Sequence, residues 1–346
     1  MGKGYAQFVR PDDVPIQVVS ALRNRAGFSI SAAADYLGPG AIEINRYQTE
    51  ITDMVKRRFP FGQRINQTMA TGQPSRYFEQ LAIPTASFSD PRALVTTATQ
   101  PQRVERVLSL KAITSQINYG LFDVEVNQQQ GQFAYLEAKD LTDTVDGVLK
   151  LHDANLWNGN DTDPLLVTST QYYGVSGQIF TGDATASGNT TLVIASTGSL
   201  VDGVKLQVAT MANRQDYEVR PSAFYAPPLF LNLFDQEAKS FQLYFNQVEI
   251  LPGVVVEGIP TQMGILPLIG DPSITVFTGQ AAGAKLYTGF IISEDMVEYH
   301  YLTDPLPRVF QLGLLGNLAA QYVVVKFGAV IAKGATYAHT AVNTTR

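Results

Sequence analysis

The sequence predicts an α+β protein, and three observations carry that prediction. In residues 133–159, FAYLEAKDLTDTVDGVLKLHDANLWNG, the side chains of Ala138, Leu141, Val145, Val148, His152 and Leu156 recur at steps of three or four, one face of a helix. After this stretch, β-branched and aromatic runs alternate with turn residues. Before it, the chain is broken by Gly and Pro and offers no segment able to build a core alone. A long one-sided helix thus forms a spine, with sheets laid against it.

Each element follows in order. Residues 1–80 read as an extended arm with two short helices. One spans residues 14–24, with Pro15 in its first turn. The other spans residues 42–59, with Ile44, Tyr47, Ile51, Val55 and Phe59 on one face. Pro84, Pro91 and Pro101 punctuate residues 81–132, where a two-stranded excursion from about residue 88 to 118 is expected; alone it is marginal in water and needs a neighbour. The spine helix, residues 134–158, is roughly 37 Å long at about 1.5 Å per residue. Asp140, Asp143 and Asp146 suit its positive end and Lys150 its negative one. Gly159 is expected to give a left-handed exit, and Gly147 to admit a close neighbour.

Beyond the spine, residues 191–197 (TLVIAST) form a strand, and Ser199 caps a helix through residue 213. Residues 217–234 read as strand ended by Pro227-Pro228. Residues 248–272 and 287–302 follow, and residues 310–336 end in buried strand through Val323, Val324, Val325, Val330 and Ile331.

Composition narrows the function. Apolar residues make up 45% of the 346 and charged residues 16%, so the surface is polar but weakly charged and suited to meeting partners. The net charge is −6. A dedicated nucleic-acid binder carries a basic stripe; here Lys56, Arg57, Arg58 and Arg64 come nearest, and the ordinary reading is the basic end of an amphipathic helix. There is no cysteine, hence no disulfide or thiolate metal site. The N-terminus lacks a signal-peptide core. Residues 309–332 are interrupted by Gln311, Asn317, Gln321 and Lys326, so no membrane span is expected.

Catalytic chemistry is not evident. His152, His300 and His339 stand apart, without metal-ligand spacing. His152 reads as a hydrogen-bonded core residue and His300 as a surface or interface residue. No phosphate loop, dinucleotide fingerprint or nucleophile elbow occurs. Asn158, Asn160, Asp161 and Asp163 begin like a calcium loop, but position twelve is Ser169 and not Glu. Glu294, Asp295 and Glu298 are carboxylates whose spacing alone makes no acid–base pair. The chain reads as no enzyme, with no cofactor and no metal.

The order of parts, and the pieces at 137–161 (EAKDLTDTVDGVLKLHDANLWNGND), 199–213, 217–230 and 249–272, resembles the major capsid protein of tailed bacteriophages, of the Hong Kong ninety-seven type. That resemblance implies an N-terminal arm (1–80), an extended β-hairpin loop (81–132), and a peripheral domain with the spine helix (133–214). It also implies an axial domain (215–300) and C-terminal strands (301–346) returning to the peripheral domain. It further implies hexamers and pentamers in a closed shell in the virion, assembled in the host cytoplasm around double-stranded DNA contacted non-specifically. The short arm implies a separate scaffolding protein; a portal and a decoration protein are further expected partners. Lys56, Arg57, Arg58 and Arg64 are the residues expected to meet packaged DNA or a neighbour's carboxylates. The rival readings are an encapsulin-like compartment, a tail-tube or connector protein, and a β-rich carbohydrate-binding or hydrolytic protein with converging carboxylates.

Overall fold

The computed structural model describes residues 60–86, 88, 92, 99–120, 136–159, 170–183, 191–214, 218–241, 246–251, 254–275, 285–315, 319–335 and 337–346. The two arm helices expected within 14–59, Lys56, Arg57, Arg58, and the turn at Asn160, Asp161 and Asp163 lie outside these residues. The helices are α1 (Pro60–Arg64), α2 (Leu136–Asn158), α3 (Val175–Asp183), α4 (Leu200–Ala212) and α5 (Pro228–Phe241). The strands up to the second core are β1 (Asn66–Met69), β2 (Ser75–Ala82), β3 (Gln102–Leu108), β4 (Lys111–Gly120), β5 (Leu192–Ile194) and β6 (Ala223–Ala226). Then come β7 (Asn246–Leu251), β8 (Val254–Thr261), β9 (Gly264–Gly270), β10 (Leu286–Ile292), β11 (Val297–Tyr301), β12 (Arg308–Leu315), β13 (Ala319–Ala332) and β14 (Thr340–Thr345).

Among the described residues these strands build three sheets. One runs β1-β11-β13-β12, with β4 also pairing β13. The second is seven-stranded, β5-β14-β10-β6-β9-β8-β7. The third is the two-stranded ribbon β2-β3. β12 and β13 join the sheet of β4, and the last strand, β14, lies between β5 and β10 in the other.

The seven-stranded sheet is buried on both faces at its centre. Alternate residues of β6 and β10 enter different cores. Tyr225, Phe290 and Ile292 pack with Trp157, Leu156 and Val148 of α2, while Phe224, Ile291 and Tyr287 pack with Val204, Val208 and Met211 of α4 and Phe230 and Phe234 of α5. Strands covered on both sides read as continuous apolar runs, which is why the sequence marks them without alternation.

Two helices show how far sequence reaches. Ser199 caps α4, its Oγ accepting from Asp202 N at 3.2 Å, as its place before an apolar stripe demands. A second cap was not legible: Glu237 of α5 accepts from Ser199 Oγ at 2.6 Å and from Leu200 N at 2.7 Å. The strand expected to end at Pro227-Pro228 is β6, and helix α5, which the sequence reading did not include, follows it directly. Pro228 is its first residue, where a missing N–H costs nothing, and Phe230, Phe234 and Ala238 recur at helical spacing.

The ribbon also differs. It starts at Ser75 and not at residue 88, and residues 103–120 divide between β3 and β4. The division falls where Leu110 N donates to the Gln73 side chain at 2.9 Å. Both glycine expectations on α2 are corrected. A side chain at Gly147 would meet open space, so among the described residues nothing packs against it. Gly159 is not left-handed; instead a Cβ there would lie 2.3 Å from the Tyr172 carbonyl oxygen, so close backbone approach explains the glycine.

Neighbouring positions on α2 therefore have opposite sensitivities. Val148→Asp buries an unpaired carboxylate and is expected to unfold the subunit or cost several kcal/mol. Gly147→Ala is expected to be neutral or to stabilise by up to about 1 kcal/mol. Urea unfolding of both variants checks the pair; equal effects would mean the helix face is misassigned.

Candidate assembly surfaces

Arg64 ends α1, where the described chain begins. Its Nε and Nη2 donate to Glu294 Oε1 and Oε2, each at 2.7 Å, and its Nη1 donates to the Ile250 carbonyl at 2.6 Å. Glu294 opens the single turn of 3₁₀ helix between β10 and β11, and Tyr225 OH donates to its Oε1 at 2.5 Å. The hydrogen bonds that Arg64 donates to Glu294 hold the guanidinium even more firmly protonated than usual; burial, then the Glu294 charge, push the Tyr225 hydroxyl up. Arg64, expected to meet DNA or a neighbour's carboxylate, finds its carboxylate in its own chain. The pair fixes the end of α1 to the turn after β10.

A second polar cluster stands beside it. Phe61 lies against Trp157, ring centroids 4.2 Å apart. Trp157 Nε1 donates to buried Asp271 at 2.9 Å, and Ser273 Oγ donates to Asp153 at 2.7 Å. Sequence reasoning missed Asp153 and Asp271, because their partners lie over a hundred residues away.

The histidines divide as follows. His152 is a core residue as expected: its Nδ1 is 3.3 Å from Tyr172 OH, and burial, reinforced by the Lys326 charge, pulls its pKa well below the ordinary value. His300 is not at the surface. It is buried, with Nδ1 2.9 Å from Ser75 Oγ and Nε2 3.0 Å from Glu298 Oε2. Burial raises the Glu298 pKa, but hydrogen bonds from Lys333, at 2.5 Å, and His300 outweigh it and leave it lowered. Glu294 and Glu298 thus serve different cations. His339 is buried as well: its Nδ1 accepts from Ser293 N at 3.4 Å and its Nε2 donates to the Lys333 carbonyl at 3.2 Å. Burial lowers its pKa to about 4, against the carbonyl bond that raises it.

Among the described residues the ribbon is held along one face, from its root as far as Glu79. Leu108 and Tyr77 pack on Ala329 and Ile331, and Gly334 N donates to Glu79 Oε1 at 2.9 Å. On the other face Phe78 is 71% exposed, and past the end of β2 Ile83 is 75% exposed and Phe88 fully so. Apolar side chains on a two-stranded sheet with two free edges call for a covering partner.

Among the described residues no group of three or more metal-ligating side chains occurs, and no helix is long and apolar enough to cross a membrane. A groove of about 280 Å³ between α2 and β4, lined by Ile113, Thr114, Leu151, Asn155 and Tyr172, brings no carboxylates together. This is not the site that a glycan hydrolase would need.

No protein-family model and no curated protein matches the chain. Solved structures do. The cyanophage A-1(L) capsid asymmetric unit is similar with a TM-score of 0.61 and 10% identity, over 90% of this chain and 99% of that one. The capsid of a native GTA particle gives 0.58 and 10%, over 92% and 99%. The holo-SrpI encapsulin complex from Synechococcus elongatus gives 0.55 and 13%, over 91% and 95%. At these identities the likeness carries the fold: the chain has the α+β fold of tailed-phage capsid subunits, over nearly its whole length.

Two outcomes follow from the buried polar groups. Arg64→Ala leaves Glu294 with the Tyr225 hydroxyl but without its cation and is expected to cost on the order of 3 kcal/mol in urea unfolding, with Arg64→Lys intermediate because the fork is lost. His339 is neutral when folded and protonates near pH 6.5 when unfolded. Stability is therefore full above about pH 6.5 and falls as pH drops toward 4, by roughly 2 kcal/mol at pH 5. Urea midpoints at pH 7.5 and pH 5 measure this, and His339→Asn should flatten the difference; an unchanged slope would contradict it.

Proposed function

We propose that this chain is the major subunit of a tailed-phage head, a structural protein that self-assembles into an icosahedral shell around double-stranded DNA. The observation that carries the reading is the pairing of a capsid-subunit fold with apolar structure that none of the other described elements covers, above all the ribbon's free face. A shell subunit gains that burial from neighbours, and closed symmetry multiplies each modest contact. The body of the subunit is acidic: residues 81–346 hold 15 Lys+Arg against 24 Asp+Glu, a net of −9. A container filled by a motor has no need to attract DNA strongly, and an acidic lining avoids pinning it.

On this reading the copies form hexamers and pentamers, with a separate scaffolding protein, a portal and a decoration protein as partners. Assembly takes place in the host cytoplasm. Lys56, Arg57 and Arg58 remain the residues proposed to meet DNA or a neighbour. The second reading, a compartment around protein cargo, draws support from the similarity to the SrpI encapsulin.

Electron microscopy of the purified chain, alone and with a scaffold, is expected to show closed shells or rings of five and six. Persistent monomers, or tubes of one symmetry, would contradict it. Nucleic acid inside particles from infected cells favours the head over the compartment. Deleting residues 1–60 should abolish shells and leave a soluble fragment.

A further inference from the structure

β12 is an edge strand with no solvent-facing alternation. Arg308, Val309, Phe310, Gln311 and Leu312 are all exposed, although strands on a finished sheet bury at least one face. Leu306 (66%) just before it, Phe310 (41%) and Leu312 (57%) on one face and Val309 (43%) on the other all present exposed apolar side chains. Among the described strands β12 pairs only with β13, from Arg308 opposite Val325 to Leu315 opposite Ala319, so its other edge is unpaired. Such an edge, left open, invites uncontrolled pairing unless a dedicated partner covers it.

The charges at its start say which partner. Asp304 and Arg308 are both exposed and of opposite sign, and among the described residues neither forms an ion pair within its own chain. Both are held in place. Asp304 accepts from Leu306 N at 3.0 Å, while Arg308 lies 5.4 Å over the Phe310 ring and its Nη1 donates to Thr303 Oγ1 at 3.4 Å. The intervening loop is stiffened by Pro305 and Pro307, and Lys326 Nζ ties it down through the Pro305 carbonyl. A preorganised surface with one acid, one base and exposed apolar side chains beside them is complementary to itself. Under a rotation axis the acid of one copy meets the base of the next.

We propose that the Asp304–Leu312 surface is a contact between copies of this chain, in which Asp304 of one copy pairs with Arg308 of the next while Leu306, Val309, Phe310 and Leu312 are covered. It rests on the self-assembly reading and names one surface that this assembly uses.

Charge reversal tests it. The full chain is assembled in parallel as wild type, Arg308→Glu, Asp304→Arg and the double variant, with the yield of sedimenting particles measured at equal concentration. Each single reversal is expected to lower the yield at least about tenfold, the factor set by roughly 1.4 kcal/mol at a single contact, and the double variant to regain it. Phe310→Gln, which alters no charge, should also lower it, and thermal melts check that all four variants stay folded. Single variants that assemble like wild type, or a folded double variant that stays unassembled, would overturn the pairing. A wild-type chain that never assembles would overturn the shell reading itself, and this surface with it.

Discussion

The two-sided burial of β6 and β10 is the constraint on which the rest depends. Phe224 and Ile291 point into one core, Tyr225 and Phe290 into the other, so neither strand has a solvent face to give up. Both layers must be present for these strands to hold. α2 and the β13 sheet supply one layer; α4 and α5 supply the other. Burying aromatic and branched side chains at about 25 cal/mol per Å² is what makes this centre strong enough to carry peripheral elements that contribute little themselves. The turn leaving β10 then presents Glu294, which receives Arg64, so even the end of α1 is positioned by that strand.

What the centre does not cover has a consistent character. The ribbon's free face and β12 are well-formed backbone carrying apolar side chains that none of the other described elements covers. In solution each is a liability. In a symmetric assembly each becomes one of many repeated contacts, individually weak enough to be corrected and jointly strong. Stability and assembly are then linked, because neighbours bind the folded form alone.

Much of this was legible locally, and the failures share a cause. α2 and α4 declare themselves through spacing and, for α4, through Ser199. The two prolines mark the end of β6 but hide α5, because a proline in the first turn equally begins a helix. His300 was assigned to the surface by alternation along a single strand, but Ser75, at the root of the ribbon, covers that face. The partner of Arg64 lies 230 residues away, and the sheet taken by β14 depends on pairing that no local pattern encodes. Sequence reports what an element is; which distant element meets it is set by packing.

The central claim is that the body is complete within one chain while the ribbon is not. Amide hydrogen exchange on the free subunit and on the assembled particle tests it most directly. The account predicts slow exchange at residues 223–226 and 289–292 in both states, and fast exchange at residues 78–82 and 102–106 that slows on assembly. Strong protection of the ribbon in the free subunit, unchanged in the particle, would contradict it.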